Sequence, residues 1–280
     1  MSIGTFTLIK NEVGWVGFNI MSLVGFVDEF VYFDGNSTDG TLELLEYIKK
    51  KYQVNIKIFK DQDCKDLQDD YVKVFNDCLG QVTTDYAWFC HPDMIATELP
   101  NRLFKGPLAY YVNLKSFAGE PFETTLEIPQ GRTDKWKSIM INKLGIHYFG
   151  HYGATNEDIY LKDVTGDEHI MYQDFKSYPF EIRDSGIHMN HYSDVRPYAR
   201  RLGRMVSCLK NQIPGTSEEL ILEMAKTHPR VTLAGDSNFV FKPVTDVPRV
   251  ILNHYEEFAS VVGKKPEEFC PIKLPEVVSA

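Results

Sequence analysis

The N-terminal third of the chain alternates β-rich runs with helical periodicity, and nothing else in the sequence narrows the possible folds as much. Thr5–Lys10, Glu29–Asp34, Asn55–Phe59 and Tyr86–Cys90 are short and rich in β-branched and aromatic residues. Between them, Trp15–Phe26, Thr41–Tyr52 and Leu67–Leu79 repeat their apolar residues at helical spacing. Strands alternating with helices of this length join through right-handed crossovers into a parallel sheet covered on both faces. Ligands of such sheets bind beyond the carboxyl ends of the strands.

The residues just after each strand are therefore the ones to inspect. Polar clusters stand at three such places: Lys10-Asn11-Glu12, Asp34-Gly35-Asn36-Ser37 and His91-Pro92-Asp93. All three are predicted to line one crevice. After Asp93 the pattern changes. Leu108–Ser116 and His169–Phe175 alternate like strands and Lys135–Leu144 reads as a helix, so an antiparallel extension of the sheet is expected. Arg196–Lys210 and Ser217–Thr227 read as helices, the second opening on the capping run Thr216-Ser217-Glu218-Glu219. Beyond Pro229, prolines at 243, 248, 266, 271 and 275 predict an extended tail lying on the surface of one domain.

A hydrophobic content of 43% and a charged content of 25% exclude a disordered chain. The formal net charge of −9 argues against nucleic acid as the main partner, leaving Arg200, Arg201 and Arg204 as a local patch that serves one small anion or solvent. No apolar run approaches the roughly 20 residues that span a bilayer, and no basic segment followed by an apolar one opens the chain, so a cytoplasmic protein is expected. The cysteines at 64, 78, 90, 208 and 270 form no Cys-Xaa-Xaa-Cys pair and are expected as reduced thiols, Cys90 as a small buried side chain.

The stretch Asp28 to Thr41 ends an apolar strand in an aspartate, continues into a Gly-Asn turn and closes on helix-capping residues. It resembles the signature of family 2 glycosyltransferases of the GT-A fold. In that family an Asn-Glu pair stands after the first strand and an Asp-rich Gly-Ser-Thr-Asp-Gly-Thr turn after the second. Lys10-Asn11-Glu12 and Asp34 to Thr41 match in order and spacing. Thr84 to Asp93 resembles the third landmark, an Asp-Xaa-Asp at a strand end, with His91 in place of the first aspartate and the metal-binding second one kept as Asp93.

The resemblance implies a Rossmann-like GT-A domain: a mostly parallel sheet with helices on both faces and an antiparallel C-terminal extension. Residues 1–95 would form its nucleotide-binding half, 96–230 its acceptor-binding half and 231–280 a tail packed on it. It implies transfer of a sugar from a UDP-sugar to a glycan hydroxyl, with inversion. Lys10, Asn11, Glu12, Asp34, His91 and Asp93 would bind the donor. Mn2+ or Mg2+ on Asp93 would neutralise the diphosphate.

Gly186 to Pro197 resembles a His-Tyr-Xaa-Xaa-Val-Arg-Pro element, which implies His191 as the second metal ligand, with His188 its rival. Thr155-Asn156-Glu157-Asp158 resembles the family's Glu-Asp element, which implies Asp158 as the catalytic base; Glu157, Asp163 and Asp167 are its rivals. Arg132, Lys135 and Trp136, and the cluster His147, Tyr148, Phe149, His151 and Tyr152, are candidates for sugar or acceptor contacts. The small size also resembles the glycosyltransferases of large algal viruses, whose capsid glycans include xylose, and this points to UDP-xylose as donor. The alternative is a non-catalytic nucleotide-sugar or glycan-binding module whose altered Asp-Xaa-Asp marks lost activity.

Overall fold

The alternation in the sequence becomes a parallel sheet. The computed structural model describes residues 1–60, 71–101, 103, 109–121, 123, 125–127, 139–143, 146–151, 159–163, 168–170, 182–213, 215–233, 242–243 and 246–273. Its first elements are β1 (Ile3–Ile9), α1 (Val13–Leu23), β2 (Glu29–Asp34), α2 (Thr41–Tyr52), β3 (Ile56–Lys60), α3 (Tyr71–Gln81) and β4 (Tyr86–Phe89). Then come β5 (Met94–Glu98), β6 (Ala109–Gly119), β7 (Leu126–Glu127), β8 (Ile139–Asn142), β9 (Ile146–His151), β10 (Ile159–Asp163), β11 (Glu168–Ile170) and β12 (Ile182–Val195). The chain continues through α4 (Tyr198–Gln212), α5 (Glu218–Thr227), α6 (Pro229–Thr232), β13 (Lys242–Pro243), α7 (Arg249–Val261) and α8 (Pro266–Phe269).

β1 pairs in parallel with β2 on one side and β4 on the other, and β3 extends the parallel part beyond β2. Six of the seven β1 residues are buried, which requires cover on both faces. From β4 outward the sheet turns antiparallel through β8 and β6. The long β12 lies parallel to β6 and antiparallel to β5. β9, β10 and β11 form a separate antiparallel sheet. The α/β class, the covered parallel core and the antiparallel extension all agree with the expectation.

Two readings are corrected. Residues 139–142, expected within a helix, are a strand inserted antiparallel between β4 and β6, with Met140 and Ile141 fully buried. A short Ile-Met-Ile run is ambiguous by periodicity alone, and the open sheet position decides it. The second correction concerns the end of the chain, where a surface tail was expected. There α7 is a 13-residue helix whose Ile251, Phe258 and Ala259 are buried. It covers α1, which is apolar almost all round, placing the Phe258 ring 5.6 Å from that of Phe18. A Cβ on Gly17 would sit 2.7 Å from the Phe258 ring, so the two helices meet across a glycine.

The cap of α5 is as expected, with Ser217 Oγ accepting from the Leu220 amide at 3.3 Å. Cys78, Cys90 and Cys270 are free and buried. Among the described residues no helix is long and apolar enough to cross a membrane.

Candidate active site

The loops at the carboxyl ends of β1 and β2 are braced against each other. Asn11 and Asn36 both take left-handed backbone, φ 56° and 61°, which asparagine tolerates better than most residues. The Asn11 amide donates to Ser37 Oγ at 2.9 Å, and Asn11 Oδ1 accepts from the Thr38 amide at 2.8 Å. One step on, the Glu12 amide donates to Thr41 Oγ1 at 2.9 Å and the Val13 amide to Asp39 Oδ2 at 3.1 Å. The buried Asp34 accepts from the Ser37 amide at 3.1 Å and closes the turn. The Asn-Glu pair and the Asp-rich turn therefore form one hydrogen-bonded platform, which is why both occur at this spacing.

Asp93 stands beside that platform, in the turn between β4 and β5, and is 4% exposed. Arg196, between β12 and α4, joins the two: its Nη2 donates to Asp93 Oδ2 at 3.0 Å and to both Glu12 oxygens at 3.2 Å. Arg200, one helical turn later, donates to Glu12 Oε1 at 3.3 Å. His191 reaches Asp93 from β12, where the Tyr192 amide donates to the Asp93 carbonyl at 3.0 Å. Tyr192 stacks between Trp15 and Phe117, at 4.8 and 4.9 Å, and so pins this part of β12. The His91 ring packs on Phe89 at 4.5 Å and lies nearly parallel to His191 at 5.8 Å.

Burial opposes charge on Asp93, yet the His191 imidazole, Arg196 and His91 together hold its carboxyl well below the usual carboxylate range. Burial has the upper hand at Glu12, whose carboxyl is raised despite the attraction of Arg196 and Arg200. Arg200 is lowered by burial and by the neighbouring charge of Arg196. A cleft of about 420 Å³ opens over Leu8, Ile9, Lys10, Asn11, Glu12 and Arg200.

The residues fit a divalent cation. Asp93 Oδ1 is buried and accepts no hydrogen bond, and it faces His191 Nε2 at 3.5 Å. Two ligands about 2.1 Å from one Mg2+-sized ion stand about 3 Å apart in an octahedron, close to the spacing seen here. Arg196 holds the other Asp93 oxygen and leaves Oδ1 to ligate. Among the described residues no three His, Cys, Asp or Glu side chains are placed to hold one metal ion, so phosphate oxygens and water would fill the remaining positions.

The structure thus places Lys10, Asn11, Glu12, Asp34, His91 and Asp93 at or just beyond the ends of the adjoining strands β1, β2 and β4, and His191 reaches Asp93 from within β12. His188 is exposed and paired with Glu98 on β5. Asp158, Glu157, Asp167, Arg132, Lys135, Trp136 and Tyr152 lie outside the described residues, as do the side chains of Asp163, His147, Tyr148, Phe149 and His151. The arginine patch is corrected. Arg201 is buried and structural, donating to the carbonyls of Gly119 at 2.9 Å and Val231 at 3.0 Å and to Glu120 at 2.6 Å. Arg200 stands at the cleft, as a member of an anion patch would, and Arg196 is the site residue that sequence reasoning missed, although the four-residue spacing of Arg196, Arg200 and Arg204 is the signal for one shared face.

No protein-family model and no curated protein matches the chain. Among solved structures it is similar to residues 1–349 of S. aureus TarS, at 15% identity, 94% of this chain, 81% of that one and a TM-score of 0.40. It is also similar to the mannosyltransferase PcManGT from Pyrobaculum calidifontis in complex with GDP-Man and Mn2+, at 12% identity, 95% and 81% coverage and a TM-score of 0.41. A third is glucosyl-3-phosphoglycerate synthase from Mycobacterium tuberculosis in complex with phosphoglyceric acid, at 14% identity, 90% and 91% coverage and a TM-score of 0.41. Likeness at this level is one of general outline, and the functional reading rests on the residues of the site.

Proposed function

We propose that this chain is a GT-A glycosyltransferase that moves a sugar from a UDP-sugar to a glycan hydroxyl, using Mn2+ or Mg2+. One observation carries the reading: Glu12, Asp93, His191 and Arg196 meet at the carboxyl ends of β1 and β4, beside the cleft over Lys10, Asn11 and Arg200. Lys10 and Arg200 offer cations to a diphosphate at the mouth of that cleft. Asp93 Oδ1 and His191 Nε2 would hold the ion, which when bound neutralises the diphosphate as its bond to the sugar breaks. Arg196 orients Asp93 by holding Oδ2. Asp158 is our base. It takes the acceptor proton as the acceptor oxygen bonds to the anomeric carbon with inversion, and UDP leaves with the electron pair of the broken bond. UDP-xylose is the first donor to test.

The deciding experiment is calorimetry with UDP, GDP and ADP, each with and without Mn2+, on the parent and on Asp93→Ala, with turnover of UDP-sugars measured next. UDP should bind best, and Asp93→Ala should lose the Mn2+-dependent part of that binding. Turnover should fall about a thousandfold, the scale expected for losing a metal that acts as a Lewis acid. Mn2+-stimulated turnover within about tenfold of the parent would refute the metal assignment. Run alongside, Asp158→Asn should slow turnover at unchanged donor affinity; parental turnover would move the role to Glu157, Asp163 or Asp167.

One observation favours the binding-module alternative: Arg196 already pairs with both Glu12 and Asp93, and so offsets part of the negative charge that would attract a cation. The two readings separate on slow Mn2+-dependent release of UDP from UDP-sugars, which a module that only binds cannot perform.

A further inference from the structure

Asn19 carries amide chemistry in the middle of an apolar helix, and neither the motifs nor the proposed mechanism uses it. It lies on the buried face of α1 and is 1% exposed. Its Nδ2 donates to the Met94 carbonyl at 2.6 Å, to the His91 carbonyl at 3.2 Å and to Cys90 Sγ at 3.4 Å. Its Oδ1 lies 3.5 Å from the Tyr32 hydroxyl, which donates to it. Carbonyls only accept, so the amide must present its NH2 to the turn and its oxygen to Tyr32; the partners fix the orientation. Burying a primary amide in a helix is costly unless it is hydrogen-bonded, and here its partners stand immediately on either side of the Pro92-Asp93 pair.

We propose that Asn19 is the positioning residue of the Asp93 ligand. By holding the carbonyls of His91 and Met94 from α1, it sets where the Asp93 carboxylate stands relative to His191. The turn has a second restraint, the Tyr192 amide on the Asp93 carbonyl, which comes from β12 and fixes His191. Asn19 therefore ties one ligand to the helix while β12 carries the other. This rests on the metal reading above.

The test is Mn2+ affinity measured by electron paramagnetic resonance, together with UDP affinity and thermal unfolding, for the parent, Asn19→Ala, Asn19→Ser and Ile20→Ala. Ile20→Ala removes a buried side chain that has no hydrogen-bonding group from the same helix, and reports a purely structural effect. Asn19→Ala should bind Mn2+ about 10- to 100-fold more weakly, the range seen when a group orienting a metal ligand is lost. Asn19→Ser, which keeps one short donor, should lose less. Ile20→Ala should melt earlier at parental Mn2+ affinity. Parental Mn2+ affinity in folded Asn19→Ala overturns the proposal, as does an equal loss in Ile20→Ala. Should Asn19→Ala fail to fold, parental affinity in Asn19→Ser overturns it instead. A parent that binds UDP but no Mn2+ overturns the metal reading and this role with it, whereas Mn2+ binding that is equal in parent and Asn19 variants sinks this role alone.

Discussion

Four arginines stand close together in sequence at 196, 200, 201 and 204, and their neighbours give them different work. Arg201 is turned inward onto carbonyls and Glu120, whereas Arg200 is half-exposed at the cleft with one long bond to Glu12. Two guanidinium groups held near each other gain from an anion, and the side chain of Arg200 can reach one without unfolding anything. Arg200→Ala should therefore weaken UDP about tenfold, the scale of one hydrogen bond to a charged group. Surface substitutions of this kind shift stability by only about 0.5 kcal/mol. Calorimetry and urea unfolding on the same samples check both halves, and unchanged UDP affinity would remove Arg200 from the donor site. Lys10, Asn11, Glu12 and Asp93 were legible because each stands just after a strand of clear pattern. Arg196 and Asn19 were not, since nothing in their local sequence says which loop they will meet.

At the scale of elements, α1 explains the end of the chain. A helix apolar on nearly every side needs cover beyond what the sheet and α2 provide, and α7 supplies it. Phe258 is fully buried against Phe18 and Gly17. Phe258→Ala should cost about 3–5 kcal/mol in urea unfolding, the usual range for deleting a buried phenylalanine. A cost under about 1 kcal/mol would place α7 among surface elements, where effects are of that size or smaller. Prolines suggested an extended tail because they forbid helix interiors. Here Pro248 and Pro266 stand instead at the starts of α7 and α8, where the missing amide hydrogen costs nothing.

For the molecule as a whole, Glu29 links three parts of the fold: it lies on β2, pairs with Lys57 of β3, and accepts from the amide and hydroxyl of Thr83 at 2.7 and 2.9 Å, just before β4. Burial works against its charge, but Lys57 and Thr83 outweigh it and lower the carboxyl from its ordinary 4.5. A lowered folded value means stabilisation that is complete above the unfolded value and is lost as pH falls through the folded one. Glu29→Gln should thus destabilise the protein at neutral pH, and its difference from the parent should shrink below pH 4.5; a constant difference on thermal unfolding across that range would refute the assignment. The sequence by itself determined the parallel core, the platform of Asn11, Glu12 and the Asp-rich turn, and the place of Asp93, because hydrophobic period and turn chemistry are local properties. Only the tertiary structure decided that residues 139–142 are a strand, that α7 closes over α1, and that Arg196 joins Glu12 to Asp93. Those outcomes depend on which surface each segment meets, and contacts across the fold have no local signature in the chain.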